Sequence, residues 1–498
     1  MTNPASSSAS NPTSEQQSIY DVAIIGGGVC GTALLYCLSN YTNVGAIALI
    51  EKETDIALIN SQKTSNSQTL HFGDIETNYT LEKAAQVNRA ASLVKYYLLN
   101  NDPEQQAYSK YHKMVLAVGP DQSTKLRERY EAFEEVFPHL RIIDRAAIAQ
   151  LEPNVLTGRP ADEEVTALFT EEGYTIDFHQ LSQSFLRRSL LNTSTPTPTP
   201  ASNLAKGKII DVFMDTQVTR ITQQPGTGHY CITSRGKTII AKAVAVTAGA
   251  HSLLFAKSMG YGQDLALLSV AGSFYLAPAT LNGKVYTVQL KKLPFAAIHG
   301  DPEVHDPSQT RFGPTAKVLP LLERHNYATV YEYFKTAGLS PAAFLSFFKI
   351  LSDWVVFKYI LLNFIYDLPW IGKRLFIHKV RQIVPSIQLK DLTFAKGYGG
   401  VRPQIINLKT RQLEMGEAKI LGDRILFNIT PSPGASTCLQ NAEDDTLRLM
   451  SFLGDNYQFD QDRFLTDLTE KIGDTGKLDT GKLNAGKLKD ELKDKISV

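Results

Sequence analysis

Residues 18–51 constrain the fold of this chain more than any other stretch. Ile19-Tyr20-Asp21-Val22-Ala23-Ile24-Ile25 reads as a buried parallel strand, Gly26-Gly27-Gly28-Val29-Cys30-Gly31 follows at once, and Val29 to Ser39 has helical apolar spacing. A second strand, Ala46 to Ile50, ends at Glu51, an acid 20 residues past Gly31. This is G-x-G-x-x-G between a strand and a helix, the setting in which the motif binds a dinucleotide. Gly26, Gly28 and Gly31 let the backbone approach a pyrophosphate, and the helix N-terminus offers N–H donors and partial positive charge. Glu51 can accept the ribose hydroxyls, and Lys52 beside it is a further cofactor candidate. The competing reading is a tight glycine turn in an unrelated α/β protein.

At 498 residues the chain exceeds what one core usually spans, which predicts two domains. A net charge of +1 gives no electrostatic footprint for nucleic acid. Cys30, Cys37, Cys231 and Cys438 are scattered without metal-like spacing, so no metal is expected, and their use suits a reducing compartment. Residues 1–17 are rich in Ser, Asn, Pro and Thr and lack the basic start and apolar segment of a signal peptide. They read as a disordered tail on a cytoplasmic protein. The Thr-Pro repeat of Thr195 to Pro200 reads as an exposed loop, and residues 473–498, with Gly-Lys-Leu at 476, 481 and 486, as a solvated low-complexity tail.

Between these ends strands alternate with helices. Lys208 to Val212 and Val218 to Ile221 read as strands, and Tyr230 to Ser234 with Lys237 to Ile240 as a hairpin around Arg235-Gly236. Ala243 to Ala250 is nearly all apolar and ends in small residues, as a central parallel strand does when its end, here Ala248 and Gly249, passes close to a cofactor. A cofactor-type strand so far from the first implies a discontinuous, Rossmann-like nucleotide domain, 18–95 with 165–265 and 395–472. Residues 96–164 and 266–394 then form a substrate or cap domain of mixed sheet and helices. The expected class is α/β, α+β overall.

Residues 342–367 are unusually aromatic and aliphatic, yet no uncharged run approaches the ~18 residues of a membrane span. On one continuous helix Ser346, Lys349, Ser352, Asp353, Asn363 and Asp367 would share a narrow polar stripe, with Lys358 on the far side. Two shorter helices fit equally. The segment is either a core-facing helix pair or a peripheral contact with a membrane surface, with Lys358, Lys373, Arg374, Lys379 and Arg381 near enough to meet anionic headgroups.

Five segments together resemble the FAD-dependent malate:quinone oxidoreductases, within the D-amino-acid-oxidase-like flavoproteins. They are Tyr20 to Gly28; Ser65-Asn66-Ser67-Gln68-Thr69-Leu70-His71-Phe72-Gly73-Asp74-Ile75-Glu76 and on to Thr80; Ile298-His299-Gly300-Asp301-Pro302 with Thr310 to Ala316; Lys396-Gly397-Tyr398-Gly399-Gly400-Val401-Arg402-Pro403-Gln404; and Thr430 to Thr437. Their order and spacing match the family from about residue 19 to about 455. The resemblance implies FAD as cofactor, malate as substrate and a membrane quinone as acceptor, on the inner face of the cytoplasmic membrane. It also implies that the loop Ser65 to Gly73, with Ser67 and His71, runs beside the flavin, and that Gly400 passes close to the ring. Pro433, Gly434, Ala435 and Ser436 precede a helical pattern, Cys438 to Leu453, whose N-terminus would face the flavin or be a plain N-cap.

Oxidising a 2-hydroxy acid requires a cation for the carboxylate and a base for the hydroxyl proton. Arg402 is the first carboxylate anchor, since guanidinium grips carboxylate bidentately. Arg311 is a candidate for the second carboxylate, or else a surface arginine at a strand start. His299, at an expected strand end, is the first candidate base, and His71 is either the base or a flavin contact. Related flavoproteins oxidise 2-hydroxyglutarate or amino acids, and one methylene separates malate from 2-hydroxyglutarate by only ~1–3 kcal/mol of pocket energy. A flavin-binding, membrane-associated protein without turnover is the remaining reading.

Overall fold

The computed structural model describes residues 19–191, 207–289, 298–337, 345–349, 352–414, 418–430 and 433–469. Both expected tails, the Thr195 to Pro200 loop, and Pro431 with Ser432 lie outside these residues.

The opening unit forms as its sequence dictates. β1 (Ile19–Ile25), a helix Val29–Tyr41 and β2 (Ala46–Ile50) follow one another. β1 is apolar on both faces because it is central, pairing in parallel with β2 on one side and β9 (Lys237–Val246) on the other. The hairpin arm and the apolar strand expected separately at 237–240 and 243–250 are therefore one strand. Lys242 does not interrupt it, because its Nζ reaches Asp21 Oδ1 at 2.7 Å and the Tyr457 hydroxyl at 2.9 Å. β9 ends at Val246, and the small residues that follow turn into a helix, His251–Ser258.

The described strands build three sheets. The first runs β19 (Ala418–Leu421), β20 (Ile425–Ile429), β9, β1, β2, β6 (Ile209–Phe213), with β7 (Val218–Gln223) and β8 (Tyr230–Ser234) extending antiparallel from β9. Helices Val29–Tyr41, Phe178–Leu191 and Cys438–Leu453 meet in one core, joining Val22 and Ile24 with Leu34, Leu35, Phe185, Leu439 and Leu449. The second sheet runs β15 (Lys317–Val318), β10 (Leu265–Ala271), β17 (Val401–Asn407), β18 (Gln412–Glu414). The third runs β16 (Thr393–Phe394), β11 (Tyr275–Pro278), β14 (Asp306–Gly313), β13 (His299–Glu303), β12 (Lys284–Thr287), β3 (Tyr108–Val118), β5 (Val165–Ile176), β4 (Arg141–Ile143). It is mixed, since β12 pairs β3 in parallel and the rest are antiparallel.

Two segments differ from the expected division. Val165–Ile176 was assigned to the nucleotide domain, but it pairs along nearly its whole length with β3 in the third sheet. Val401–Asn407, assigned there too, pairs with β10 instead. Both are long-range antiparallel pairings that local periodicity does not encode.

Residues 342–367 do not form one helix. Residues 345–349 are helical, 352–353 turn, and a second helix spans Trp354–Ile365, followed by another at Ile371–Val380. In the second, the polar residues divide: Lys358 is exposed, as are Ser352 and Asp353 just before it, while Asn363 faces inward. Asn363 is buried, accepting from Ala316 N at 2.8 Å, and Asp367 just beyond it accepts from Ser273 Oγ at 2.7 Å and pairs with Lys317 and Arg324. The outward face is apolar: Trp354 is 70% exposed, and Phe357, Leu361, Phe364 and Leu368 are exposed with it. Phe348 before the helix and Trp370 after it, at 65% and 84% exposure, continue this surface. A helix packed on a water-soluble core shows the reverse arrangement. Among the described residues, no helix is long and apolar enough to cross a membrane.

Candidate active site

The glycine turn opens onto a long cavity at the ends of β1, β2 and β9. Gly26 has φ +108°, and a Cβ there would meet Thr247 O at 2.7 Å. Gly31 does not line the cavity; its Cβ would lie 1.9 Å from Gly26 O, so it allows the helix to press against the turn. Gly28 faces open space with only Ser61 Oγ near. A bare backbone therefore meets the cavity at the N-terminus of the first helix, where N–H donors converge.

Glu51 and Lys52 line the same cavity. Glu51 already serves the turn: its Oε2 accepts from Gly27 N at 2.6 Å and its Oε1 from Glu53 N at 3.0 Å. Burial raises its carboxyl above the usual range, against the pull of these N–H groups. Lys52 is ion-paired with Glu323, also at the cavity wall. Ala248 and Gly249 line the cavity immediately after β9.

Ser67, His71, Gly400, Arg402, Pro433, Gly434, Ala435 and Ser436 also line the cavity, with Gly434 O 3.9 Å from Cys30 Sγ beside the glycine turn. Gly399, at φ +106°, has no room for a side chain because Gly272 O would lie 1.9 Å from its Cβ. Pro433 to Ser436 lead into the helix Cys438–Leu453, whose N-cap residue Thr437 makes no side-chain cap and donates its hydroxyl to Gly434 O. The helix therefore directs its N-terminal end toward the cavity-lining turn.

His71 is fixed from two sides. Its backbone N–H donates to Ser436 Oγ at 3.0 Å, and its Nδ1 lies 2.6 Å from Glu76 Oε1. Burial alone would raise the Glu76 carboxyl, but the His71 hydrogen bond and charge, with Lys113 beyond, hold it down at about 2. Lys113 Nζ in turn donates to Asp74 Oδ1 at 2.8 Å. With Nδ1 committed, Nε2 is the nitrogen left to exchange a proton. Arg402 is half-buried, and burial lowers its pKa while leaving it a cation, as arginine remains in proteins.

The structure does not bring His299 or Arg311 to this cavity. His299 starts β13 rather than ending a strand. It is 1% exposed, its ring 4.5 Å from that of Tyr286 and its Nε2 3.7 Å from Asp301 Oδ1. Arg311 is neither open to a second carboxylate nor on the surface. It lies fully buried within β14, donating to Asp301 Oδ2 at 2.9 Å and to the carbonyls of Asn66 and Ser67 at 3.2 and 2.8 Å. It therefore holds the loop that carries Ser67 and His71. Lys284 completes the cluster, donating to Asp301 Oδ2 at 3.0 Å and Thr69 Oγ1 at 3.2 Å.

Three contributors escape a motif-based reading. Glu76 stands five residues after His71 in the same polar loop, a spacing that could have flagged the pair. Asn60 accepts from Val401 N at 3.1 Å, and Ser61 Oγ accepts from Val29 N at 3.1 Å. Nothing in the sequence around Asn60 and Ser61 marks that loop. Among the described residues, no group of His, Cys, Asp and Glu could hold a metal ion.

A family model described as FAD dependent oxidoreductase matches residues 21–428. The chain is 42% identical to the "Probable malate:quinone oxidoreductase" of Campylobacter jejuni subsp. jejuni, over 91% of this chain and 99% of that protein. It is 39% identical to the malate:quinone oxidoreductase of Helicobacter pylori, over 90% of this chain and 98% of that one. In fold it is similar to dithionite-reduced L-alpha-glycerophosphate oxidase from Mycoplasma pneumoniae with FAD bound, with a TM-score of 0.59, 18% identity, and coverage of 87% of this chain and 95% of that chain.

Proposed function

The chain belongs to the malate:quinone oxidoreductases within the FAD dependent oxidoreductase family, and from that premise we propose that it oxidises (S)-malate to oxaloacetate and passes the electrons to a membrane quinone. It is an enzyme, and its cofactor is FAD. The observation that carries the reading is that His71 and Arg402 share one cavity with the glycine turn.

FAD suits this cavity on the chain's own geometry, because Gly26 and Gly28 present bare backbone to it at the N-terminus of the first helix, with only Ser61 Oγ near Gly28. The N–H groups at the start of the first helix would hold the diphosphate, Glu51 and Lys52 the ribose side, and Ser67, Ala248, Gly249, Gly400 and Pro433 to Ser436 the remainder. When bound, FAD supplies the two-electron acceptor.

Arg402 holds a malate carboxylate by two parallel N–H···O bonds and fixes the orientation of C2. His71 Nε2 takes the C2 hydroxyl proton as hydride departs from C2, and Glu76 stabilises the imidazolium that results. Arg311 acts at one remove, through the carbonyls of Asn66 and Ser67. The loop that carries the base is thereby tied to the third sheet.

The outward aromatic face around Trp354–Ile365 supports a peripheral seat on the inner face of the cytoplasmic membrane. Its exposed neighbours Lys349, Lys358 and Arg374 are suited to anionic headgroups. The substrate assignment is tested by turnover with a short-tailed ubiquinone on L-malate against L-2-hydroxyglutarate. The reading expects malate to be preferred by kcat/KM; equal or reversed preference would move the assignment to the longer dicarboxylate.

A further inference from the structure

A second cavity, of about 630 Å³, lies across β12 from the loop that bears His71. Side chains alternate along that strand. Tyr286 turns to the loop, its hydroxyl 3.1 Å from Thr69 Oγ1, while Thr287 lines the second cavity. The opposite wall is the inner side of the Trp354–Ile365 helix, through Tyr359, Leu362 and Asn363. The outer side of the same helix is the exposed aromatic face. One helix thus separates this cavity from the surface that would meet lipid.

We propose that this second cavity binds the ring of a lipid-borne quinone, the electron acceptor of the reaction. The proposal rests on the malate:quinone reading and adds to it where the acceptor sits. The size falls in the range of small-molecule sites, ~300–1,000 Å³. Leu116, Ile298 and Leu362 give it apolar walls that suit a neutral ring. Of the cations that also line it, Arg159 and Arg381 donate to the backbone carbonyls of Val155, Gln382 and Ile387, leaving Lys379 as the cation that could draw an acid instead. Two ring oxygens need donors. Tyr359 offers a phenol that burial holds protonated, its pKa pushed up to about 12, and His378 stands at the rim. No carboxylate is among the described lining residues. Arg402 of the first cavity lies close enough to Tyr359 for its charge to act on the phenol. The two cavities are therefore neighbours, with a strand's thickness on one side and this pair on the other. The step is balanced: the two electrons removed from malate enter the ring, each carbonyl oxygen gains one proton, and the product is the quinol.

The test uses full-length holoenzyme carrying Leu362→Trp, which fills the cavity, and separately Leu116→Phe, which fills it from the sheet side, where Leu116 is paired with Thr287. Three readouts are compared with wild type: anaerobic bleaching of the flavin by L-malate, turnover with decylubiquinone, and turnover with phenazine methosulfate, a water-soluble acceptor. The proposal expects bleaching and phenazine turnover within two-fold of wild type, and kcat/KM for decylubiquinone at least ten-fold lower in a variant that retains flavin. Unchanged quinone turnover in both variants would overturn it. So would loss of malate bleaching in step with quinone turnover, which would put the acid in this cavity. Wild-type flavin that malate does not bleach would instead refute the malate reading itself, before any variant is compared.

Discussion

His71 owes its position to Ser436 and Glu76, and Glu76 owes its charge to His71 and Lys113. With His71 as the proposed base, His71→Asn should lower kcat with malate by ~10²–10⁴-fold without loss of FAD; stopped-flow reduction of the bound flavin measures this. The buried cluster around Asp301 makes a different prediction. Its carboxyl would be raised by burial, but Arg311, Lys284 and His299 hold it at about 2, below the ordinary 3.8. A carboxyl depressed in the folded state stabilises the fold above its unfolded pKa, and that contribution is lost as pH falls toward the folded value. Glu76, held at about 2 against an ordinary 4.5, adds to the same loss. Stability should therefore fall between about pH 4.5 and about pH 2, and Asp301→Asn should flatten that slope while costing ~3–5 kcal/mol at neutral pH, because it leaves buried cations unpaired. Urea midpoints across pH decide this. At this scale the motifs place Gly26, Gly28, Glu51, His71 and Arg402 locally, and the fold brings those five to one cavity. The sequence put His299 first, but a strand histidine does not disclose how deeply its sheet is buried, and here His299 lies 1% exposed beside its cross-strand partner Tyr286, away from the cavity.

At the scale of elements, the first strand, turn and helix were legible because each is short-range and patterned. Gly31→Ala should separate helix from turn, since its Cβ would lie 1.9 Å from Gly26 O, and yield protein that no longer retains FAD on gel filtration. The apolar segment was legible in phase but not in direction. Periodicity isolates a polar stripe, yet the chain turns at 352–353 and splits it: Ser346, Asn363 and Asp367 turn inward, the last two through the Ala316 bond and the ion pairs, while Lys349, Ser352 and Asp353 are exposed. Both sequence readings thus capture part of it: two short helices, with Ser346 and Asn363 turned to the protein and an aromatic side exposed together with Lys349 and Lys358. Phe357→Asp with Phe364→Asp should abolish sedimentation with anionic vesicles while leaving anaerobic reduction by malate intact. Wild-type binding should weaken with salt to the extent that the neighbouring lysines and arginines contribute.

For the whole molecule, alternating strands and helices led to the expectation of a nucleotide domain interrupted by a second domain. The assignment of Val165–Ile176 and Val401–Asn407 to particular sheets was not legible. Their partners are far away in sequence, and burial on both faces looks the same in either sheet. What the assembled fold adds is the convergence of one long cavity on residues from the first turn, the His71 loop, β17 and the turn before Cys438–Leu453. The central claim is that this cavity carries a flavin that malate reduces. It is tested most directly by the absorbance spectrum of the purified protein under anaerobic conditions, before and after L-malate. The account predicts an oxidised-flavin band that bleaches on L-malate and persists on L-2-hydroxyglutarate. A band that L-malate leaves unchanged would contradict it.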